Sequence, residues 1–243
     1  MESGKVSRGL KVLAIETSTT SRGEVAFALD DTLVASVVLS DQIKPTASLV
    51  PTIRELCHAA GWSVRELDLI CVDIGPGSYT GVRVGLTCAK MLAYAADAPL
   101  ATVGSLDVVA RNAPSEAQLL DVAFDAARGQ VFAARYCREA GEGSSTDAPD
   151  WVADGPVHIV QADEWAAACD RSGLVLGPAL VKYRTILPPE LRVADPDLWW
   201  PRAATVAALG LARFRAGPLP PFWTLEPVYL RPSAAEEKRE GTS

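Results

Sequence analysis

Histidine is scarce: the 243-residue chain has two, His58 and His158. Neither has a metal-ligand companion at helical spacing or within a carboxylate cluster, so both read as ordinary half-buried side chains and no metal site is expected. Cysteine pairs at Cys-x-x-Cys spacing are missing. Cys57, Cys71, Cys88, Cys137 and Cys169 are odd in number and widely spaced, as free thiols of a reducing compartment are. No uncharged apolar run reaches the roughly 18 residues of a membrane span. The start, MESGKVSRGLKV, has no apolar stretch before a small-residue cleavage site. Positive charge is also short, with 23 Lys and Arg against 30 Asp and Glu, a net charge of −7. That balance opposes unaided binding to nucleic acid or an acidic membrane, so a role on nucleic acid would need a basic partner. Together these absences predict a soluble, cytoplasmic protein without a membrane partner.

What is present suffices for a real core: 49% of residues are hydrophobic. LKVLAIET, from Leu10, and the runs beginning at Glu24 and Thr32, joined by Asp30 and Asp31, read as three antiparallel strands. TASLVPTIRELCHAAG places Leu49, Ile53, Leu56, Cys57 and Ala60 on one helical face, with Pro51 early and Gly61 as the stop. Ser63 and Glu66 have capping-box spacing ahead of LDLICVDIG, whose unbroken apolar run predicts a strand buried on both faces. A helix from Tyr79 to about Ala96 and a short strand at Pro99 to Val103 complete the order β-β-β-α-β-α-β. QLLDVAFDA and GQVFAARYC then begin a second, less regular α/β half. The boundaries expected are an N-terminal extension at 1–9, a first lobe at 10–104, a second at 105–231 and a disordered tail at 232–243.

DIGPGSYTGVRVG, residues 73–85, resembles a phosphate loop only in its glycines. It lacks the Gly-Lys-Ser/Thr of a Walker loop and the spacing of a dinucleotide fingerprint. Its own interval is four: Gly77, Gly81 and Gly85, continued by Ala89 and Ala93. Such residues form one bare ridge on a helix, and interior glycines, each costing about 1 kcal/mol relative to alanine, imply that something approaches closely. Packing within the lobe is one reading. A helix-to-helix contact between subunits is the other, and it assigns a partner interface to Leu49, Ile53, Gly77, Tyr79, Gly81, Gly85, Ala89 and Ala93. The hydroxyl-rich turn at Thr17, Ser18, Thr19, Thr20 and Ser21 could hold phosphate or simply serve as a turn. Asp125, in the matching turn of the second half with Arg128, is a weaker candidate of the same kind. Ser78 has no histidine base and makes no hydrolase.

VLAIETST, GPGSYTGVRVG, DAARGQVFAARY and EPVYLR, in that order between Leu10 and Arg231, resemble the TsaB (YeaZ) family, the dimerisation subunits of the bacterial apparatus that makes threonylcarbamoyladenosine in tRNA. The resemblance implies an α/β, actin-like (ASKHA) fold of two RNase H-like lobes with mixed sheets flanked by helices. It implies a non-catalytic scaffold that pairs with a TsaD-like transferase through its first two long helices, since the TsaD family's metal-binding histidine pair is missing from the first of them. A TsaE-like ATPase, tRNA reached through the complex, and a homodimer of the isolated chain are further implied partners. ATP or ADP would belong to the assembled complex rather than to this chain alone. Ile43-Lys44-Pro45-Thr46-Ala47-Ser48 departs from the family's Arg-x-His-Ser stretch, and Glu16 stands where Asp is commoner. The competing reading is an actin-like small-molecule kinase or ATPase, with Asp73 or Asp125 placing the nucleophile. A metalloprotease fails for want of ligands.

Overall fold

A computed structural model describes residues 9–39, 45–138 and 151–231. The expected tail at 232–243, and the expected extension apart from Gly9, lie outside those residues. Two compact units share the chain. The first takes the described residues up to Asp73, then Thr80–Val103 and Arg202–Glu226; the second takes Ile74–Tyr79, Gly104–Pro201 and the described residues from Pro227.

The first unit follows the order read from the sequence: β1 (Lys11–Glu16), β2 (Glu24–Leu29), β3 (Thr32–Val38), α1 (Pro45–Ala60), β4 (Leu69–Asp73), α2 (Tyr79–Ala96) and β5 (Leu100–Val103). Its sheet runs β3-β2-β1-β4-β5. β1 to β3 are antiparallel, and β1, β4 and β5 are parallel. Asp30 makes the β2–β3 turn at φ +50°, and its Oδ1 accepts from Leu10 N at 3.0 Å. Gly61, at φ +64°, ends α1, because a residue without a Cβ takes the left-handed conformation freely. Ser63 and Glu66 form the expected capping box. The Lys11 ammonium, 2.9 Å from Glu66 Oε1, holds that carboxyl down at about 2.

The chain continues through α3 (Ser105–Ala110), β6 (Leu119–Asp125), β7 (Gln130–Arg138), β8 (Trp151–Ala153), β9 (His158–Gln161), α4 (Ala162–Ala168), β10 (Leu174–Leu176), α5 (Leu180–Tyr183), β11 (Arg192–Val193) and α6 (Ala203–Ala216). The second unit's sheet runs β11-β10-β6-β7-β8, with β9 also paired to β7. Its core gathers Phe124, Tyr136, Trp165 and Leu176.

The division differs from the expectation in two places. Ile74–Tyr79, inside the expected first lobe at 10–104, belongs to the second unit. Residues 105–231 do not form a single second lobe, because α6 packs on the first sheet. A Cβ at Gly210 would strike Cys71 Sγ of β4 and lie 3.4 Å from Ala101 Cβ of β5, so the helix backbone rests almost on the strands. Arg213 Nη1 donates to Thr102 O at 2.6 Å, and Glu24 Oε2 accepts from Ala203 N at 3.2 Å. Helical periodicity identifies such an element without saying which sheet receives it.

The two faces of the first sheet are covered differently. Cross-strand partners point the same way; Cys71 is registered with Ala14, which puts α6 on the Ala14 face. The opposite face, with Leu13 and Ile15, receives α2, since a Cβ at Gly85 would lie 3.6 Å from Ile15 Cγ2. Phe27 is registered with Leu13 and stacks on Trp62 at 5.2 Å, and Trp62 N donates to Cys57 O of α1. α1 and α2 therefore cover the same face. β1 and β4, covered on both sides, are buried along their lengths, as the unbroken apolar runs require.

Candidate functional site

The small-residue ridge of α2 serves a strand of its own sheet. Gly81, Gly85, Ala89 and Ala93 are all buried. Thr17 Oγ1 donates to Gly81 O at 2.9 Å, and any Cβ on Gly85 would collide with that same Oγ1. Close approach of helix to strand explains why two glycines persist inside a helix. This corrects the expected interface. Leu49 and Ile53, at 0% and 3% exposure, together with Gly81, Gly85, Ala89 and Ala93, fill the interior of the first unit and present nothing to a partner. Gly77 is half-buried, and Tyr79 is exposed.

Among the side chains these helices do present, three besides Tyr79 are large and apolar. Val50 of α1 is 62% exposed, and Met91 and Tyr94 of α2 are 64% and 74% exposed. Large apolar side chains this open mark contact surfaces when they share a face, as Met91 and Tyr94, three apart on α2, do. Spacing could have found Met91 and Tyr94, which stand three apart and off the ridge. The bare ridge itself faces the interior of the first unit.

The signature loop Ile74–Tyr79 belongs to the second unit, where it meets the other end of the chain. Val228 N donates to Ile74 O at 2.8 Å, and the Tyr79 and Tyr229 rings stack at 5.0 Å. Arg231 continues the strap, its Nη1 donating to Ala126 O at 2.8 Å and its Nη2 to Gln130 Oε1. Thus GPGSYTG, DAARGQ and EPVYLR, three separate motifs in the sequence, form one connected patch.

The turn after β1 is buried and polar. Glu16, Thr17, Ser18 and Thr19 are enclosed, and every hydroxyl donates inward. Thr17 bonds Gly81 O, Ser18 Oγ bonds Glu16 Oε1 at 2.5 Å, and Thr19 Oγ1 bonds Arg22 O. Glu16 is registered opposite Glu24, and Asp73 follows the Val72 that pairs with Ile15, so carboxyls flank it on both sides. Burial first, then the Asp73 charge, hold the Glu16 carboxyl well above its usual range. Its Oε2 is enclosed without a partner, which suits a protonated acid better than an anion.

The Thr17, Ser18 and Thr19 hydroxyls are committed to internal acceptors, which leaves only the exposed Thr20 and Ser21 of the turn open to a guest. The companion turn, after β6 in the second unit, is exposed. Asp125 accepts from Ala127 N at 3.0 Å and from Tyr183 OH at 3.2 Å, with Lys182 Nζ 3.4 Å away. Neither turn gathers a metal set; among the described residues no group of three or more His, Cys, Asp or Glu side chains could hold an ion. No helix of the described residues is long and apolar enough to cross a membrane.

Known proteins agree with the fold and the motifs. The family model for TsaD, the tRNA N6-adenosine threonylcarbamoyltransferase, matches residues 42–163. A Pseudomonas aeruginosa YeaZ structure superposes with a TM-score of 0.74 at 24% identity, covering 91% of this chain and 100% of that one; at that identity the likeness concerns the fold. The tRNA threonylcarbamoyladenosine biosynthesis protein TsaB of Escherichia coli is 28% identical over 240 residues, 96% of this chain and 99% of its own. Its Bacillus subtilis counterpart is 30% identical over 233 residues. Because that identity extends over 94% of this chain and 97% of the relative, through the connected motifs and both units, the chain belongs to the TsaB family.

Proposed function

We propose that the chain is an accessory subunit in the threonylcarbamoylation of tRNA, pairing with a TsaD-like transferase through the outward sides of α1 and α2 and performing no transfer chemistry itself. The observation that carries the pairing surface is the exposure of Val50, Met91 and Tyr94 on two helices that cover one face of the first sheet. Burying three such side chains contributes about 1.5–3 kcal/mol each, enough to matter in a subunit contact. The same surface can serve a two-fold contact between copies, so the isolated chain forms a homodimer that the transferase displaces. A TsaE-like ATPase and tRNA join through the assembled complex. The acidic balance of this chain, −7 overall, leaves the tRNA contacts to its partners.

ATP or ADP belongs to that assembly in this reading. Support comes from Thr17, Ser18 and Thr19, whose donors all point inward, and from the buried acid Glu16 beside them. The kinase or ATPase alternative draws no support from the same turn. Light scattering on a sizing column tests the proposal, running this chain alone and mixed with the TsaD-like protein of the same organism. The wild type should give a one-to-one complex, and a folded Met91→Asp/Tyr94→Asp chain should give none. Unchanged pairing by that variant overturns the surface, and ATP turnover by the purified chain above background overturns the non-catalytic reading.

A further inference from the structure

We infer that the second unit carries a binding site for a small zwitterion of the amino-acid class, in the cavity bounded by β7, β9 and α4. The cavity arises from a break in strand pairing. Gln130–Ala133 of β7 pair with β9, and Tyr136–Arg138 pair with β8. Ala134 and Arg135 stand between the two partners, and the chain joining β8 to β9 crosses the gap, with Asp154 N donating to Arg135 O at 2.8 Å. The space left is about 250 Å³. That is below the range of about 300–1,000 Å³ typical of pockets for drug-sized ligands.

Its polar groups are held in fixed positions. Asp121, buried, accepts from Arg135 Nε through Oδ1 at 2.9 Å and from Asp170 N through Oδ2 at 2.8 Å, so both of its oxygens are used. Arg135 Nη2 donates to Ala168 O at 2.8 Å. The guanidinium is thereby anchored at two points, with Nη1 left to donate to a guest. The exposed Asp154, Pro156 and His158 form the mouth, and the buried Trp165 lies on the floor. Cys169 also lines the space, but burial pushes its thiol up to about 12, so it is no nucleophile at neutral pH. The cavity binds rather than reacts.

Charge selects the ligand. Asp121 and Arg135 cancel, the Asp170 carboxylate acts on the same guanidinium, and Asp154 at the mouth adds one negative charge. A simple anion drawn to Arg135 meets Asp154, and a simple cation drawn to Asp154 meets Arg135. A molecule with both charges a few ångströms apart satisfies each, its carboxylate on the guanidinium and its ammonium on Asp154, with the apolar wall taking a small side chain. Amide spectra of the ¹⁵N-labelled full chain, titrated with alanine, serine and leucine, test this, with acetate and methylammonium as single-charge controls. Saturable shifts at Arg135, Asp154 and Trp165 are expected in the millimolar range for the amino acids, weakened about tenfold in Asp154→Asn. Arg135→Lys, which keeps a charge opposite Asp121 but loses the fork, should weaken them as well. The site is overturned by the lack of saturable shifts with any amino acid, by acetate binding as tightly as alanine, or by undiminished affinity in Asp154→Asn.

Discussion

The two units open on the same device and finish it in opposite ways. In the first, the β1–β2 turn is sunk in the protein, with Glu16 and its neighbouring hydroxyls enclosed. In the second, the β6–β7 turn stands in solvent, and Asp125 bonds Tyr183 with Lys182 close by. Each leading strand is also pressed by a glycine, Gly85 against the Thr17 side chain and Gly177 against the backbone of Ala123. The shared topology therefore constrains how closely an element approaches the leading strand, and leaves the electrostatics of the turn free to diverge.

The most damaging way to break that parallel is Gly177→Ala. A Cβ there would strike Ala123 O, which cannot turn aside, and φ is +122°. A loss of about 3 kcal/mol or more is expected in urea unfolding. Gly85→Ala comes next, at about 2 kcal/mol, although alanine in an ordinary helix interior stabilises. Its clash is with a side-chain oxygen, so Thr17→Ala should recover about 1–2 kcal/mol of that loss in a double-mutant cycle. No rescue would mean that the ridge is constrained by something other than Thr17.

Glu16→Gln sharpens the electrostatic half of the comparison. Folded Glu16 keeps its proton above its ordinary 4.5. Its contribution is therefore fully present below the unfolded value and is lost as pH rises through the raised one. The variant should gain stability relative to wild type as pH climbs from about 5. A pH-independent difference would contradict the buried acid. The smallest effect belongs to Asp125→Asn, which weakens a solvent-screened contact and should leave the unfolding midpoint almost unmoved.

Much of the first unit is legible in the sequence. The strand order, the turn at Asp30, the stop at Gly61 and the span Tyr79–Ala96 follow from local periodicity and from residues with restricted backbones. Two matters of partnership are not. The Gly81, Gly85, Ala89, Ala93 ridge says that a backbone comes close, and both a helix and a strand satisfy that spacing. The home of α6 depends on Gly210 meeting Cys71 and Ala101, a long-range fit that periodicity does not carry. Arg135 and Asp154 share a cavity only because β7 changes partners between them, which no single segment reveals.

The placement of α6 also orders events in time. The first unit's face at Cys71 and Ala101 is finished by a helix that leaves the ribosome after the whole sheet of the second unit has been made. At about 5–20 residues per second, the early strands wait on the order of ten seconds for their cover. The amino-terminal half of this protein is thus completed by nearly its last helix, and a nascent chain stopped before residue 203 exposes an apolar sheet face that chaperones would have to guard.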